Sequence, residues 1–75
     1  MSLKPIKASK LIKILIKTGF HPVRQKGSHV ILKHKNGRIT VVPVHSNEEI
    51  GRGLLSRILK DVGLTREEYL KPLKK

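Results

Sequence analysis

Seventy-five residues allow one domain with a small core and little surplus stability. The chain has no cysteine, which excludes a disulfide framework and a thiolate metal site and fits a reducing compartment. Seventeen Lys and Arg stand against five Asp and Glu, a formal net charge of +12, and no acidic residue precedes Glu48. Such a one-signed field favours a polyanion partner. The competing explanation is a Lys-rich surface from a heat-adapted source, but such surfaces add Glu along with Lys. The longest apolar stretch, residues 11–16, is interrupted by Lys13 and is too short to span a bilayer. With no signal-peptide pattern ahead of it, a soluble, cytoplasmic protein is expected.

Residues 1–7 read as a loose basic arm, with Pro5 discouraging helix before it. Ser9 is a candidate N-cap for a first helix running to about Thr18. Ala8, Leu11, Ile12, Leu15 and Ile16 share one helical face, and Lys7, Lys10, Lys13 and Lys17 share the opposite one. Ile14 projects among the lysines in this reading. Gly19 stands where a left-handed C′ residue is wanted.

Three strands are predicted next, over residues 20–25, 28–34 and 38–44. Pro43 cannot donate to a ladder, so the third is expected at an edge, leaving the second central. Asn36-Gly37 marks the second hairpin. A two-residue loop would pair His34 with Ile39; a three-residue loop, with Gly37 left-handed, would pair His34 with Arg38. Hydrophobicity does not choose between them, but the three-residue loop groups Val30, Leu32, Val42 and Val44 as core. It leaves His29, Lys33, Val41 and His45 on the other face.

A second helix is predicted over residues 52–62, with Leu54, Leu55, Ile58, Leu59 and Val62 inward and Gly63 as its stop. Thr65 and Glu68 form a capping box for a short final turn, and residues 72–75 read as a frayed tail. No internal repeat or dividing linker interrupts the order. The expected architecture is α+β, a two-layer α-β-β-β-α sandwich with a three-stranded antiparallel sheet and helices on one face. The uncovered face is then free for a ligand.

Chemistry is narrowed by what the strand region lacks. Residues 20–44 carry no acidic side chain, which excludes paired-carboxylate catalysis and a two-metal nuclease site there. The four histidines, His21, His29, His34 and His45, form no short metal-ligand pair, so neither a metal nor another cofactor is expected. Ser28 and His29 are strand neighbours and point to opposite faces, which excludes a hydrolase dyad. Metal-free cleavage of RNA remains open. Its 2′-hydroxyl is an internal nucleophile, which a histidine can deprotonate near neutral pH while Lys and Arg stabilise the phosphorane. His29 follows Gly27, where a phosphate can approach the backbone, with Arg24, Lys26 and Lys33 nearby. The alternative is a turn glycine beside an ordinary strand histidine. His45 is a possible diagonal neighbour of His29, whereas His21 and His34 are read as non-catalytic.

Arg24-Gln25-Lys26-Gly27-Ser28-His29 resembles the R-x-x-G-S-H signature of the HicA (YcfA-like) mRNA interferase toxins. Val42-Pro43-Val44-His45 resembles that family's strand-ending P-x-H. Glu49-Ile50 followed by Gly53, Leu54, Ile58, Leu59 and Gly63-Leu64 resembles its second-helix block. The resemblance runs from about Ser9 to Leu70. It implies a double-stranded-RNA-binding-like fold, an mRNA-cleaving toxin with catalysis at His29, and a HicB-type antitoxin that covers the site. Lys35-Asn36-Gly37 departs from the family's frequent Pro-Asp-Gly. The competing class is a non-catalytic RNA-binding module, which contacts phosphates and 2′-hydroxyls by shape. A DNA-binding factor fits less well, because three strands separate the helices.

Overall fold

The computed structural model describes residues 3–44 and 49–70. His45 and the predicted tail over residues 72–75 lie outside them. In chain order the elements are β1 (Ile6–Lys7), α1 (Ala8–Lys17), β2 (Phe20–Lys26), β3 (His29–His34), β4 (Ile39–Pro43), β5 (Glu49–Ile50), α2 (Arg52–Val62) and α3 (Arg66–Leu70). The central strands form an antiparallel sheet in the order β2-β3-β4, and α1 and α2 pack on one face of it. This is the expected two-layer α-β-β-β-α sandwich.

The core lies between the layers. Leu11 and Leu15 of α1, Leu32 of β3, Val42 of β4 and Leu55 of α2 are fully closed to solvent, with Phe20 and Ile58 nearly so. Each such side chain contributes about 1.5–3 kcal/mol by leaving water. Thr40, also on the core face, has its hydroxyl buried without a hydrogen-bond partner among the described residues. Such a group costs about 1–3 kcal/mol of desolvation.

Three expectations for the amino-terminal segment need correction. Residues 1–7 are not a loose arm throughout: β1 pairs antiparallel with β5, Ile6 opposite Ile50, and both isoleucines are buried. That pairing fixes where extended chain ends and helix begins. The N-cap of α1 is therefore Lys7, extended at φ −63° and ψ 140° with no side-chain cap, and Ser9 lies inside the first turn. The buried face of α1 is also rotated from the expected one. Ala8, Leu11, Ile14 and Leu15 are inward, while Ile16 is 43% exposed. The apolar arc of this helix is wider than its contact with the sheet, so packing decides which isoleucine stays outside. In α2, Leu54 is likewise 40% exposed, and Leu55, Ile58, Leu59 and Val62 carry the packing.

Both helix stops are as read from the glycines. Gly63 is left-handed at φ 74°, and Gly19 has φ 105°. Thr65 and Glu68 exchange the two hydrogen bonds of a capping box, Glu68 N–H to Thr65 Oγ1 at 3.1 Å and Thr65 N–H to Glu68 Oε1 at 2.9 Å. The β3–β4 connection is the three-residue loop. His34 N–H donates to the Arg38 carbonyl at 2.9 Å, Lys33 pairs with Ile39, and Gly37 has φ 96°. Arg38 then reaches α2: its Nη1 donates to the Asp61 carbonyl at 3.3 Å, placing a cation at the negative end of the helix.

Close approach makes Gly19 sensitive. A Cβ there would come within 2.6 Å of His34 Nε2, on top of the positive φ. Gly53, in the first turn of α2, faces open space. In urea unfolding, Gly19→Ala should lose at least about 2 kcal/mol through strain and displacement of the His34 ring. Gly53→Ala should gain up to about 1 kcal/mol by restricting the unfolded chain. Equal and small effects at both positions would contradict this packing.

Candidate functional site

The β2–β3 connection is a two-residue hairpin, Gly27-Ser28, closed by the pair Lys26–His29. Gly27 has φ 60°, the left-handed value required at the first position of a primed hairpin turn. The Gln25 side chain braces the loop by donating to the Gly27 carbonyl at 3.2 Å. A Cβ on Gly27 would meet nothing within 4 Å, so the space above this turn is open to a ligand.

Strand alternation would place Phe20, Pro22, Arg24 and Lys26 on one face. The structure divides them. Phe20 pairs with His34 and Pro22 with Leu32, on the core side. The register then shifts between Pro22 and Arg24, so Arg24 pairs with Ile31 and Lys26 with His29. Val23 is the additional residue, and it is 58% exposed. This bulge lets one strand bury Phe20 and still present Arg24 and Lys26 beside His29. The signal was present in Pro22, since proline within a strand marks an edge or a bulge, but sequence reading did not use it.

The uncovered face is thereby assembled from all three strands. β3 contributes His29, Ile31 and Lys33; β2 contributes Arg24 and Lys26; β4 contributes Ile39, Val41 and Pro43. The ladder bonds from Val44 N–H to the Ser28 carbonyl and from His34 N–H to the Arg38 carbonyl make 29/43, 31/41 and 33/39 the closer, non-hydrogen-bonded pairs. Pro43 therefore directs its ring nitrogen to the free edge and costs no ladder bond, as expected of an edge strand. His29, Lys26, Arg24 and Lys33 are all exposed, and the apolar floor is Ile31, half-buried, with Val41 and Ile39 at 40% and 53%. Every charged side chain on this face is basic.

Of the site residues expected from sequence, Arg24, Lys26, Gly27 and His29 come together at one end of the face. Lys33 shares the face but lies four residues along β3, about 13 Å from His29, opposite His21. Ser28 is half-buried and alternates to the core side, so its backbone, not its hydroxyl, adjoins the site. His34 has a packing role. Its ring meets Phe20 edge-on at 5.0 Å, and its Nδ1 accepts from the Asn36 N–H at 3.0 Å. Among the described residues, no three His, Asp or Glu side chains converge as metal ligands would, and no helix is long and apolar enough to cross a membrane.

Residues 8–64 match the family described as the HicA toxin of bacterial toxin–antitoxin systems. This chain belongs to the HicA toxin family. The match spans α1 through α2, including the hairpin with Gly27 and His29, and the architecture is consistent with the double-stranded-RNA-binding-like fold of HicA. A comparison with curated proteins gave no match. As a HicA-family chain, the protein is the toxin of a toxin–antitoxin system, and a partner antitoxin goes with that assignment.

The turn that carries the site has a simple requirement. Because Gly27 faces open space, a substitution there costs only what its φ costs. Gly27→Asn should unfold within about 0.5 kcal/mol of wild type, and Gly27→Val should lose about 1–2 kcal/mol, both by urea titration. A valine variant as stable as wild type would show that the hairpin does not depend on the left-handed turn.

Proposed function

We propose that this HicA-family toxin is an mRNA endoribonuclease in which His29 is the general base, and that a HicB-type antitoxin neutralises it by covering the same sheet face. The observation that carries this reading is the placement of an exposed histidine on an uncovered face whose charged side chains are all basic, directly opposite a lysine and beside an open glycine turn. His29 takes the proton of the 2′-hydroxyl, whose oxygen attacks the adjacent phosphorus. Arg24, Lys26 and Lys33 hold phosphates along the face, the Gly27-Ser28 backbone leaves room for one to approach, and His45 completes the RNA contact. The 75 residues act as a single RNA-binding and RNA-cleaving domain.

Two further features support a grip on the RNA backbone. The chain has one Phe and one Tyr and no Trp, and both rings are only 2% exposed, so bases find no Phe, Tyr or Trp platform. The sheet region, residues 20–44, has no carboxylate to hold a catalytic divalent cation, which favours chemistry driven by the 2′-hydroxyl itself. For the antitoxin, the half-apolar floor of Ile31, Val41 and Ile39 offers a protein-binding patch, and an acidic partner would be steered to it in competition with RNA.

His29→Ala should cut RNA cleavage by at least about 100-fold, the usual worth of general-base help, while its thermal unfolding matches wild type. Wild-type products should carry 2′,3′-cyclic phosphate and 5′-hydroxyl ends and should form in EDTA. Near wild-type cleavage by the variant would remove His29 from the chemistry. No cleavage by wild type, with RNA binding retained, would instead establish the non-catalytic RNA-binding reading.

Affinity for single-stranded RNA should fall steeply with salt. With about five phosphate contacts at roughly −0.7 each, log K against log salt should slope near −3.5. Fluorescence anisotropy over a salt series measures it, and a slope near zero would mean that the basic face does not bind phosphate.

A further inference from the structure

The register of the β2–β3 hairpin carries one step beyond a general phosphate-binding role for its lysines. Lys26 and His29 are the closing pair of a two-residue turn, so their Cβ atoms lie about 5 Å apart on the open face. Arg24, paired with Ile31, is displaced from His29 by one diagonal, and Lys33 lies at the far end. Lys26 is the cation held directly across from the histidine. It is there because the Val23 bulge reverses the alternation of β2; continued from Phe20 and Pro22, the ladder would turn Lys26 toward the core.

We propose that Lys26 is a second catalytic residue, whose ammonium stabilises the charge on the non-bridging oxygens of the phosphorane formed when His29 acts. The inference rests on the endoribonuclease reading above. In the step, the O2′–H bond breaks and its proton passes to the His29 imidazole. The O2′–P bond forms, and the negative charge that accumulates on the phosphoryl oxygens is met by Lys26. The P–O5′ bond then breaks, the departing 5′ oxygen takes a proton from solvent, and His29 returns its own proton to solvent. Nothing is oxidised or reduced. A two-residue turn suits this task, because it fixes the separation of base and cation through paired backbone and leaves little to the long lysine side chain beyond reaching the phosphate.

Single-turnover cleavage of a defined RNA oligonucleotide, with protein in excess, tests the assignment. Lys26→Met should lower the rate at saturating protein by about 100-fold, the loss typical for removal of one oxyanion-stabilising group. Its RNA affinity should weaken only about five-fold, as for one phosphate contact. Lys26→Arg should recover most of the rate, and Lys60→Met, which removes the same charge from the exposed side of α2, should cleave as wild type does. Thermal unfolding of all three variants should match wild type at these exposed positions. If Lys26→Met reaches the wild-type rate once saturated, Lys26 is only a binding contact and the proposal fails while the role of His29 stands. If Lys60→Met loses as much rate as Lys26→Met, the effect belongs to net charge and the proposal also fails. If wild type does not cleave RNA, the endoribonuclease reading falls and this inference with it.

Discussion

Alternation along β3 is the constraint on which the rest of the molecule depends. This strand is central, paired on both sides, and must serve two faces at once. Leu32, with Val30, supplies the core, and the intervening His29, Ile31 and Lys33 supply the open surface. A slip of one residue on either neighbour would turn that neighbour's core residues outward and its surface residues inward. On the β4 side the register is set by the three-residue loop and its left-handed Gly37. On the β2 side it is set by the Gly27-Ser28 turn, and the Val23 bulge reconciles that turn with a buried Phe20. Two glycine turns and one bulge therefore decide which side chains stand beside His29.

The second condition is that only one face is covered. Both long helices lie on the core side, and the short β1–β5 pairing ties the start of α1 to the start of α2 through Ile6 and Ile50. Arg38 ties the β3–β4 hairpin to the end of α2. The Arg38 tie lies at the end of the sheet opposite the Gly27 turn, and with both helices on the core side the other face stays uncovered among the described residues. Packing can thus be completed without using any residue that the site needs.

Charge works against this economy. A net charge of +12 on 75 residues repels itself, and a chain of this size has few contacts with which to offset the repulsion. A bound polyanion or acidic protein relieves the repulsion and stabilises the folded state by mass action. The same face that would hold RNA is the one an antitoxin would gain most by covering, since charge and the partly apolar floor coincide there. On the proposed reading, inhibition and substrate binding are competing uses of one surface.

Much of this was legible in the sequence because it is governed by local chemistry. Glycines at Gly19, Gly37 and Gly63 mark left-handed stops, Thr65 and Glu68 mark a capping box, and Pro43 marks an edge. The period of Leu55, Ile58, Leu59 and Val62 marks the inner side of α2. The G-S-H run in its basic setting carried the family resemblance, and the family match over residues 8–64 agrees with that resemblance. What local chemistry could not decide was anything that depended on a distant partner. The β1–β5 pair moved the cap of α1 from Ser9 to Lys7, and contact with the sheet buried Ile14 in place of Ile16. The Val23 bulge turned Arg24 and Lys26 toward His29. The physical reason is the same in each case. A side chain's own preference leaves two neighbouring arrangements close in energy, and burial against residues remote in the chain selects between them.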